Sequence, residues 1–218
     1  EGFISGKNCV FEPNFNVAIA PRQPGSSFKP YVYLTAFTKG YLPETMLYDT
    51  KTQFETAEGN SYEPNNYDGK FHGPLPMMKA LGGSLNIPAV KTLYLVGVKD
   101  AIALAKSLGI TDLNHPDQLG LSLVLGGGEV RLLDHVNAYA TLANNGVRHE
   151  KTGILRVEDS KGNVLEEYKN TPGEQVVDEK YVAMLDSVMA NNENRAWVFG
   201  ENSPLAFKDR QVAAKTGT

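Results

Sequence analysis

The sequence predicts a domain that mixes helices and strands and is dominated by helix. Its 218 residues are 41% hydrophobic, 21% charged and 9% aromatic, which is typical of a globular chain. Several segments repeat apolar residues at helical spacing, and two strand-like runs flank a cluster of turn residues. A chain of this length buries roughly 70% of its unfolded surface. We therefore treat residues 1–218 as one domain with a sizeable core.

The first helix is predicted to begin at Ser26 and to end near Gly40. It follows Pro21-Arg22-Gln23-Pro24-Gly25, a cluster of chain-breaking residues, and Pro30 falls within its first turn, where proline is favoured. Residues 41–74 are rich in Tyr, Asn, Gly and Pro and show little periodicity. We expect loops with short turns there.

Further helices are predicted over 76–81, 88–96, 100–108, 129–143 and 178–190. Residues 111–128 are predicted to connect two of them, and Gly126-Gly127-Gly128 is interpreted as a tight turn rather than a phosphate-binding loop. The runs on either side of Ser160-Lys161-Gly162-Asn163 predict a β-hairpin over 154–168. Residues 211–214 are predicted to enter a strand.

Charge and cysteine content exclude several classes of protein. Lys and Arg number 21 against 25 Asp and Glu, a net charge of −4, and no basic cluster marks a nucleic-acid-binding face. The single Cys9 excludes an internal disulfide, and one Cys with four scattered His residues does not make a spaced zinc site. No apolar run reaches the roughly 20 residues that span a bilayer. The chain opens without Met or a signal peptide, which predicts a piece of a longer protein.

Three short motifs carry the candidate chemistry: Ser26-Ser27-Phe28-Lys29, Ser84-Leu85-Asn86 and Lys215-Thr216-Gly217-Thr218. Taken singly, each has an ordinary interpretation. The first two are then helix caps and the third is a strand or a turn. Their joint presence favours a catalytic site, because together they supply a nucleophile, a base and several hydrogen-bond donors.

Ser26 and Lys29 are the candidate nucleophile and base. A serine hydroxyl is a poor nucleophile until a neighbouring base takes its proton. At positions i and i+3 of a helix the two side chains lie on the same face. Burial beside Phe28 and Tyr31 lowers the pKa of a lysine, and a second cation, which Lys215 could supply, lowers it further. We therefore expect Lys29 to act as a base near neutral pH.

Backbone and hydroxyl groups complete the candidate site. Ser26 stands at a helix start, where N–H groups have no partner within the helix, so its N–H is a candidate oxyanion donor. The N–H of Thr218, at a strand edge, would be the second donor. We expect Ser84 to relay a proton to the leaving amine, and Asn86 to position Lys29 or the substrate amide.

The three motifs and their order resemble the signature of penicillin-binding proteins and class A β-lactamases. The surrounding residues are more similar to class A, bifunctional penicillin-binding proteins, and the resemblance extends over most of residues 15–218. The segments that carry it read RQPGSSFKP at 22–30, LGGSLNIPAV at 81–90, AYATLANNG at 138–146, AWVFG at 196–200 and AKTGT at 214–218.

The resemblance implies an α/β serine transpeptidase fold, with an antiparallel sheet flanked by helices, an all-α part, and further C-terminal strands beyond Thr218. It implies D,D-transpeptidation of peptidoglycan stem peptides through an acyl-enzyme on Ser26, which β-lactams would also acylate. Lys215 and the hydroxyls of Thr216 and Thr218 would hold the substrate carboxylate, with Gly217 between them. Neither a metal nor an organic cofactor is implied.

The implied partners are peptidoglycan stem peptides and β-lactams, together with other proteins of cell-wall synthesis. The implied location is the extracytoplasmic face of a bacterial membrane, with an anchor and a glycosyltransferase domain upstream of this chain. Two features depart from class A β-lactamases: the middle motif is Ser-Leu-Asn rather than Ser-Asp-Asn, and no Glu-x-x-Leu-Asn segment lies between Asn86 and Lys215. Transpeptidases of the family tolerate variety at the centre of the middle motif. The missing glutamate, which a β-lactamase of that class needs to activate the deacylating water, disfavours fast hydrolysis of β-lactams.

Two alternatives to a transpeptidase stay open. One is a D,D-carboxypeptidase or slow β-lactamase, in which water takes the acyl group. The other is a β-lactam-sensing or inert binding module, which is acylated once and does not turn over.

Several aromatic residues are candidate binding groups. Trp197 and Phe199 are predicted to be core residues rather than a stacking surface. Tyr62, Tyr67 and Phe71 are expected either to line a substrate groove or to pack within a loop, and His72 is expected to be structural or solvated.

Overall fold

The computed structural model describes residues 16–55, 59, 61–114, 119–169, 171–207 and 209–218. Its α-helices are α1 (Lys29–Thr38), α2 (Met77–Gly82), α3 (Asn86–Val96), α4 (Val98–Ser107), α5 (Leu132–Ala143), α6 (Glu179–Ala190) and α7 (Glu193–Phe199). Its 3₁₀ helices are Gly25–Phe28 and Leu121–Leu125. Its strands are β1 (Pro21–Arg22), β2 (Met46–Asp49), β3 (Phe54–Glu55), β4 (Ser61–Tyr62), β5 (Gly73–Pro76), β6 (Val130–Arg131), β7 (Val147–Arg148), β8 (Arg156–Glu158), β9 (Val164–Glu167) and β10 (Glu174–Gln175).

The predicted helices are confirmed, with shifted starts. A 3₁₀ helix covers Gly25–Phe28, so α1 begins at Lys29 rather than at Ser26, and Pro30 lies in its first turn as predicted. Helix α5 begins at Leu132 because β6, just before it, pairs with β1. The side chain of Asp178 caps α6 by accepting a hydrogen bond from the N–H of Lys180.

The prediction of loops throughout 41–74 is wrong at four short strands. Strand β2 pairs antiparallel with β5, and β3 pairs with β4. Each strand has at most four residues, and β2 and β5 are separated by a long connection. A local sequence pattern does not contain the pairing of β2 with β5, because the partner lies far along the chain. Strands β3 and β4 are neighbours in the chain, but each has only two residues, which is too few for an alternating pattern to stand out.

The mixed helix and strand class is confirmed, and the pairing is antiparallel throughout. Within the described ranges it consists of five two-stranded ladders, so the larger sheet that the resemblance implies is not assembled there. The predicted hairpin is confirmed as β8 and β9. The predicted strand at 211–214 is wrong: this segment forms no ladder, and the N–H of Ala214 instead donates to the carbonyl oxygen of Met189 at 3.2 Å.

Helix α1 forms the centre of the core. Nine of its ten residues are buried, including Tyr31, Tyr33 and Phe37. A helix that is buried on all sides must be surrounded by other elements. Helices α2, α3, α4 and α6 pack around it. This packing places Lys29, the first residue of α1, inside the domain with no exposed surface.

In the described part of the chain, no helix combines the length and the apolar character needed to cross a bilayer.

Candidate active site

The three sequence motifs meet at the start of α1 and the start of α3. The side-chain nitrogen of Lys29 donates to the carbonyl oxygen of Ser84 at 2.6 Å and to Oδ1 of Asn86 at 2.8 Å. The hydroxyl of Ser84 lies 3.4 Å from the same nitrogen. Lys215 Nζ donates to that hydroxyl at 2.7 Å. One serine therefore contacts both lysines.

Ser26 lies on the 3₁₀ helix directly before α1 and is half-buried. Its carbonyl oxygen accepts from the N–H of Lys29. Its hydroxyl has no hydrogen-bond partner among the residues that the structure describes. Ser26 and Lys29 thus share one turn, while proton transfer between their side chains stays a prediction.

Two glycines allow the turn that carries Ser84 to lie beneath α7. A β-carbon on Gly82 would come 2.4 Å from the carbonyl oxygen of Asn194, and one on Gly83 would come 2.6 Å from the ring of Trp197. Ser84 itself has a left-handed backbone, with φ of 57°. This conformation ends α2 and lets α3 begin two residues later.

Burial weakens the basicity of both lysines. The pKa of Lys29 is held well below its usual value, first by burial and then by the charge of Lys215. Burial, followed by the charge of Arg195, lowers the pKa of Lys215 to about 7. Because both groups lie close to other cations in a dry environment, a neutral lysine is accessible near neutral pH.

The segment from Lys215 to Thr218 lies along the turn that carries Ser26. The ammonium of Lys215 also donates to the carbonyl oxygen of Thr216 at 3.0 Å and to its hydroxyl at 3.3 Å. A β-carbon on Gly25 would lie 2.0 Å from the carbonyl oxygen of Thr218. The main chain of Thr218 therefore lies directly beside the residue before Ser26.

A buried amide, Asn66, supports the middle motif and was missed in the sequence. Its Oδ1 accepts from the N–H of Asn86 at 2.9 Å and from the N–H of Ile87 at 3.2 Å. Its Nδ2 donates to both carboxylate oxygens of Asp49, at 2.8 and 2.9 Å. Asn66 thus holds the start of α3, where Asn86 meets Lys29. It lies in a segment rich in Asn, so the sequence offers no signal that singles it out.

Arg195 was also missed, and it lies near the third motif. Its side chain is 3% exposed, and it donates to the carbonyl oxygen of Met189, which also accepts from the N–H of Ala214. A buried arginine on a short surface helix has no distinctive sequence signal. Its contact links α7 to the residue that precedes Lys215.

The aromatic predictions have mixed outcomes. Trp197 and Phe199 are 42% and 36% exposed, so their prediction as core residues is wrong. Helix α7 lies on the surface above Gly82 and Gly83, and Trp197 meets the ring of His72 edge-on, with the ring centres 5.2 Å apart. Tyr67 and Phe71 are 97% and 50% exposed, which argues against loop packing for these two, whereas Tyr62 packs against the core.

His72 and the glycine cluster have the structural roles predicted for them. His72 Nδ1 lies 2.7 Å from the buried carboxylate of Asp49, and its Nε2 lies 3.2 Å from Asp68. Gly126 has a φ of 92°, as a tight turn requires.

Within the described ranges, no three His, Cys, Asp or Glu side chains are grouped to hold a metal ion. Cys9 lies outside the described residues.

Comparisons with known proteins identify relatives of the whole region. The family described as penicillin binding protein transpeptidase domain matches residues 10–218. Penicillin-binding protein 2D of Bacillus subtilis is 39% identical over 188 residues, which cover 85% of this chain and 27% of that protein. Penicillin-binding protein 1A of Aquifex aeolicus is 33% identical over 225 residues, covering 100% of this chain and 29% of that protein. The chain thus spans less than a third of these curated relatives.

Solved structures share the fold. The crystal structure of penicillin-binding protein 1A from Haemophilus influenzae gives a TM-score of 0.74 at 22% identity, covering 81% of this chain and 30% of that chain. Penicillin-binding protein A from Mycobacterium tuberculosis, solved as an imipenem acyl-enzyme complex, gives 0.81 at 19% identity, covering 96% and 52%.

Proposed function

Because the chain belongs to the penicillin-binding protein transpeptidase family, we propose that it cross-links peptidoglycan stem peptides through an acyl-enzyme on Ser26. One observation carries this proposal: Lys29 is hydrogen-bonded to Ser84 and Asn86, and Lys215 is hydrogen-bonded to the same Ser84. Family membership supports an acyltransferase. The serine mechanism and the D-Ala-D-Ala substrate are the proposed refinements.

In the first step, neutral Lys29 takes the proton of the Ser26 hydroxyl while Oγ bonds to the carbonyl carbon of the penultimate D-Ala. The N–H groups of Ser26 and Thr218 stabilise the oxyanion. Preorganised donors of this kind are effective in a site that is shielded from water. The bond to the terminal D-Ala then breaks. Its amine receives a proton from Lys29 through the hydroxyl of Ser84, which touches both lysines.

In the second step, the amino group of a neighbouring stem peptide attacks the acyl carbon. Its proton is lost to the same lysine, the new amide forms, and Ser26 Oγ recovers its hydrogen. The cation of Lys215 and the hydroxyls of Thr216 and Thr218 hold the carboxylate of the donor peptide. β-Lactams present a carboxylate and a strained amide to the same groups and acylate the same serine.

The proposal extends to the surroundings of the site. Stem peptides and β-lactams are the proposed ligands, other cell-wall synthesis proteins are the proposed partners, and the proposed location is outside the cytoplasmic membrane. A membrane anchor and a glycosyltransferase domain are proposed for the longer protein, since relatives such as penicillin-binding protein 1A of Aquifex aeolicus are more than three times as long as the matched region.

The test incubates the purified protein with an N-acyl-D-Ala-D-Ala peptide, with and without a D-amino acid as acceptor, and identifies the products by mass spectrometry. We expect release of D-Ala together with transfer of the acyl group to the acceptor, and loss of both in Ser26→Ala but not in Ser187→Ala. Hydrolysis that the acceptor does not divert would indicate a carboxypeptidase or slow β-lactamase. Acylation without turnover would indicate a sensing or inert binding module.

A further inference from the structure

A second polar cluster contacts the turn that carries Ser26. His135, on α5, meets two residues of the preceding elements: its Nε2 lies 2.9 Å from Ser27 Oγ, and its Nδ1 lies 3.0 Å from the hydroxyl of Tyr31. The hydroxyl of Tyr139, one turn further along α5, donates to the carbonyl oxygen of Ser27 at 2.8 Å. Two side chains of α5 thus hold Ser27, the residue directly after Ser26.

These contacts fix the tautomer of His135. The hydroxyl of Ser27 has one proton, and it donates that proton to the carbonyl oxygen of Pro24 at 2.5 Å. Ser27 Oγ can then only accept from His135, so Nε2 carries the hydrogen. Nδ1 is left as an acceptor for the hydroxyl of Tyr31. Every polar group in the cluster is satisfied when the imidazole is neutral.

The arrangement differs from a catalytic serine and histidine pair. In such a pair the serine gives its proton to the histidine, and a carboxylate orients the other ring nitrogen. Here the Ser27 proton is directed to Pro24, and the other ring nitrogen faces a phenol. Burial lowers the pKa of His135 to about 4. Among the described residues, the groups facing the ring from the 3₁₀ helix, α1 and α5 are Ser27, Tyr31 and Tyr139, and all are uncharged at neutral pH.

The turn that His135 holds contacts two parts of the proposed site: the nucleophile segment from Ser26 to Lys29, and the segment from Lys215 to Thr218. Ser27 lies between Ser26 and Lys29 on the nucleophile side. On the other side, a β-carbon on Gly217 would come 3.3 Å from the Ser27 side chain and 3.0 Å from the carbonyl oxygen of Pro24, so the third motif rests on the same turn. A displacement of Ser27 would therefore move Ser26 relative to Thr218.

We propose that His135 is a positioning residue for acylation: as the neutral Nε2–H tautomer it holds Ser27, and through Ser27 it aligns the Ser26 hydroxyl with the segment from Lys215 to Thr218. This inference rests on the proposed function, since it assigns a role in the reaction of Ser26. His135 does not touch the substrate and exchanges no proton during the reaction.

The test compares His135→Met, which removes both hydrogen bonds at similar volume, with His135→Gln, whose amide can still donate to Ser27. His149→Met, at a half-buried histidine outside this cluster, is the matched control. Active sites are first counted by titration with a fluorescent penicillin, and the acylation rate per active site is then measured at saturating penicillin. Misplacing a reacting group by about 1 Å costs up to roughly 100-fold in rate. We expect at least a tenfold loss in His135→Met, recovery of most of the rate in His135→Gln, and no change in the control.

Several outcomes would overturn the inference. A wild-type acylation rate per active site in His135→Met, with only the melting temperature lowered, would make His135 merely structural. Nitrogen-15 spectra of the wild-type protein that place the proton on Nδ1 near neutral pH would contradict the assigned tautomer. If His135→Met does not fold, Tyr31→Phe removes only the donor to Nδ1, and an unchanged rate there would also contradict the proposal. A wild-type protein that penicillin does not acylate at Ser26 would instead overturn the proposed function.

Discussion

The ammonium group of Lys215 donates to the hydroxyl of Ser84 across 2.7 Å. Because the Ser84 oxygen accepts this bond, its own proton remains available to another group. Lys29, 3.4 Å from the same oxygen, is bonded to the main-chain carbonyl of Ser84. This geometry favours Ser84 as the relay between the base and the leaving amine.

Two substitutions of Ser84 distinguish the role of its hydroxyl in the reaction from the effect of its backbone conformation on stability. Ser84→Ala and Ser84→Gly both remove the relay, so we expect each to lower acylation by roughly 100-fold, the lower range for general acid and base catalysis. Ser84 has a φ of 57°, which glycine adopts without strain. Ser84→Gly should therefore be more stable than Ser84→Ala by about 1 kcal/mol in chemical denaturation. The reverse order of stability would contradict the strained backbone.

The acylation rate should decrease on the alkaline side of neutrality. The Lys215 cation that holds the carboxylate of a penicillin is lost as pH rises through its pKa of about 7. The second-order acylation rate reports the free enzyme, so it should fall above that pH. Arg195→Gln removes the neighbouring cation that lowers this pKa, and its alkaline limb should move to higher pH. Arg156→Gln, on the exposed hairpin, is the control. If the alkaline limb of the pH profile does not move in Arg195→Gln, the effect of Arg195 on the pKa of Lys215 is refuted.

Asn66 should be among the most sensitive polar positions in the domain. Asn66→Asp preserves shape but sets a second carboxylate against Asp49, which is fully buried, and removes the donor between them. We expect a loss of about 3 kcal/mol in the free energy of unfolding. Asn163→Asp makes the same change beside Asp159 on the exposed hairpin and should cost about 0.5 kcal/mol or less. Equal losses in denaturant titrations would contradict the role given to burial.

Gly126 should tolerate no side chain. A β-carbon there would lie 2.3 Å from the backbone nitrogen of Gly25, and its φ of 92° favours glycine. We expect Gly126→Ala to lower the free energy of unfolding by about 3 kcal/mol and to slow acylation, because Gly25 precedes Ser26. Gly153→Ala, which meets no atom within 4 Å, is the control. Thermal unfolding of both variants checks the difference, and similar melting temperatures would count against the close contact.

The sequence singles out Lys29, Ser84, Asn86 and Lys215, whose side chains contact one another in the structure, whereas it misses most of the short strands. The catalytic roles of these residues stay predictions. Ser26 and Lys29 lie one turn apart on a helical segment. The groups that a serine nucleophile and its base require suggest Ser84, Asn86 and Lys215 as their neighbours, without knowledge of how the intervening chain folds. Helices with clear apolar spacing were likewise predicted within a few residues. These features depend on local spacing, which a single sequence contains.

What the sequence did not reveal depends on contacts between distant segments. Asn66 reaches Asn86 across 20 residues, and Arg195 acts on a carbonyl that also bonds to Ala214. Trp197 was expected in the core because large aromatic residues are usually buried, but α7 lies on the surface over two glycines. The strands β2 and β5 are too short for their alternation to stand out. Each of these features requires the packed fold.

The most direct test of Ser26 as the nucleophile is the intact mass of the protein after incubation with a penicillin, with peptide mapping of any adduct. We expect one adduct per chain, located on Ser26, absent in Ser26→Ala and formed far more slowly in Lys29→Met. An adduct that persists in Ser26→Ala, or none in a wild-type protein shown to be folded, would contradict this role of Ser26.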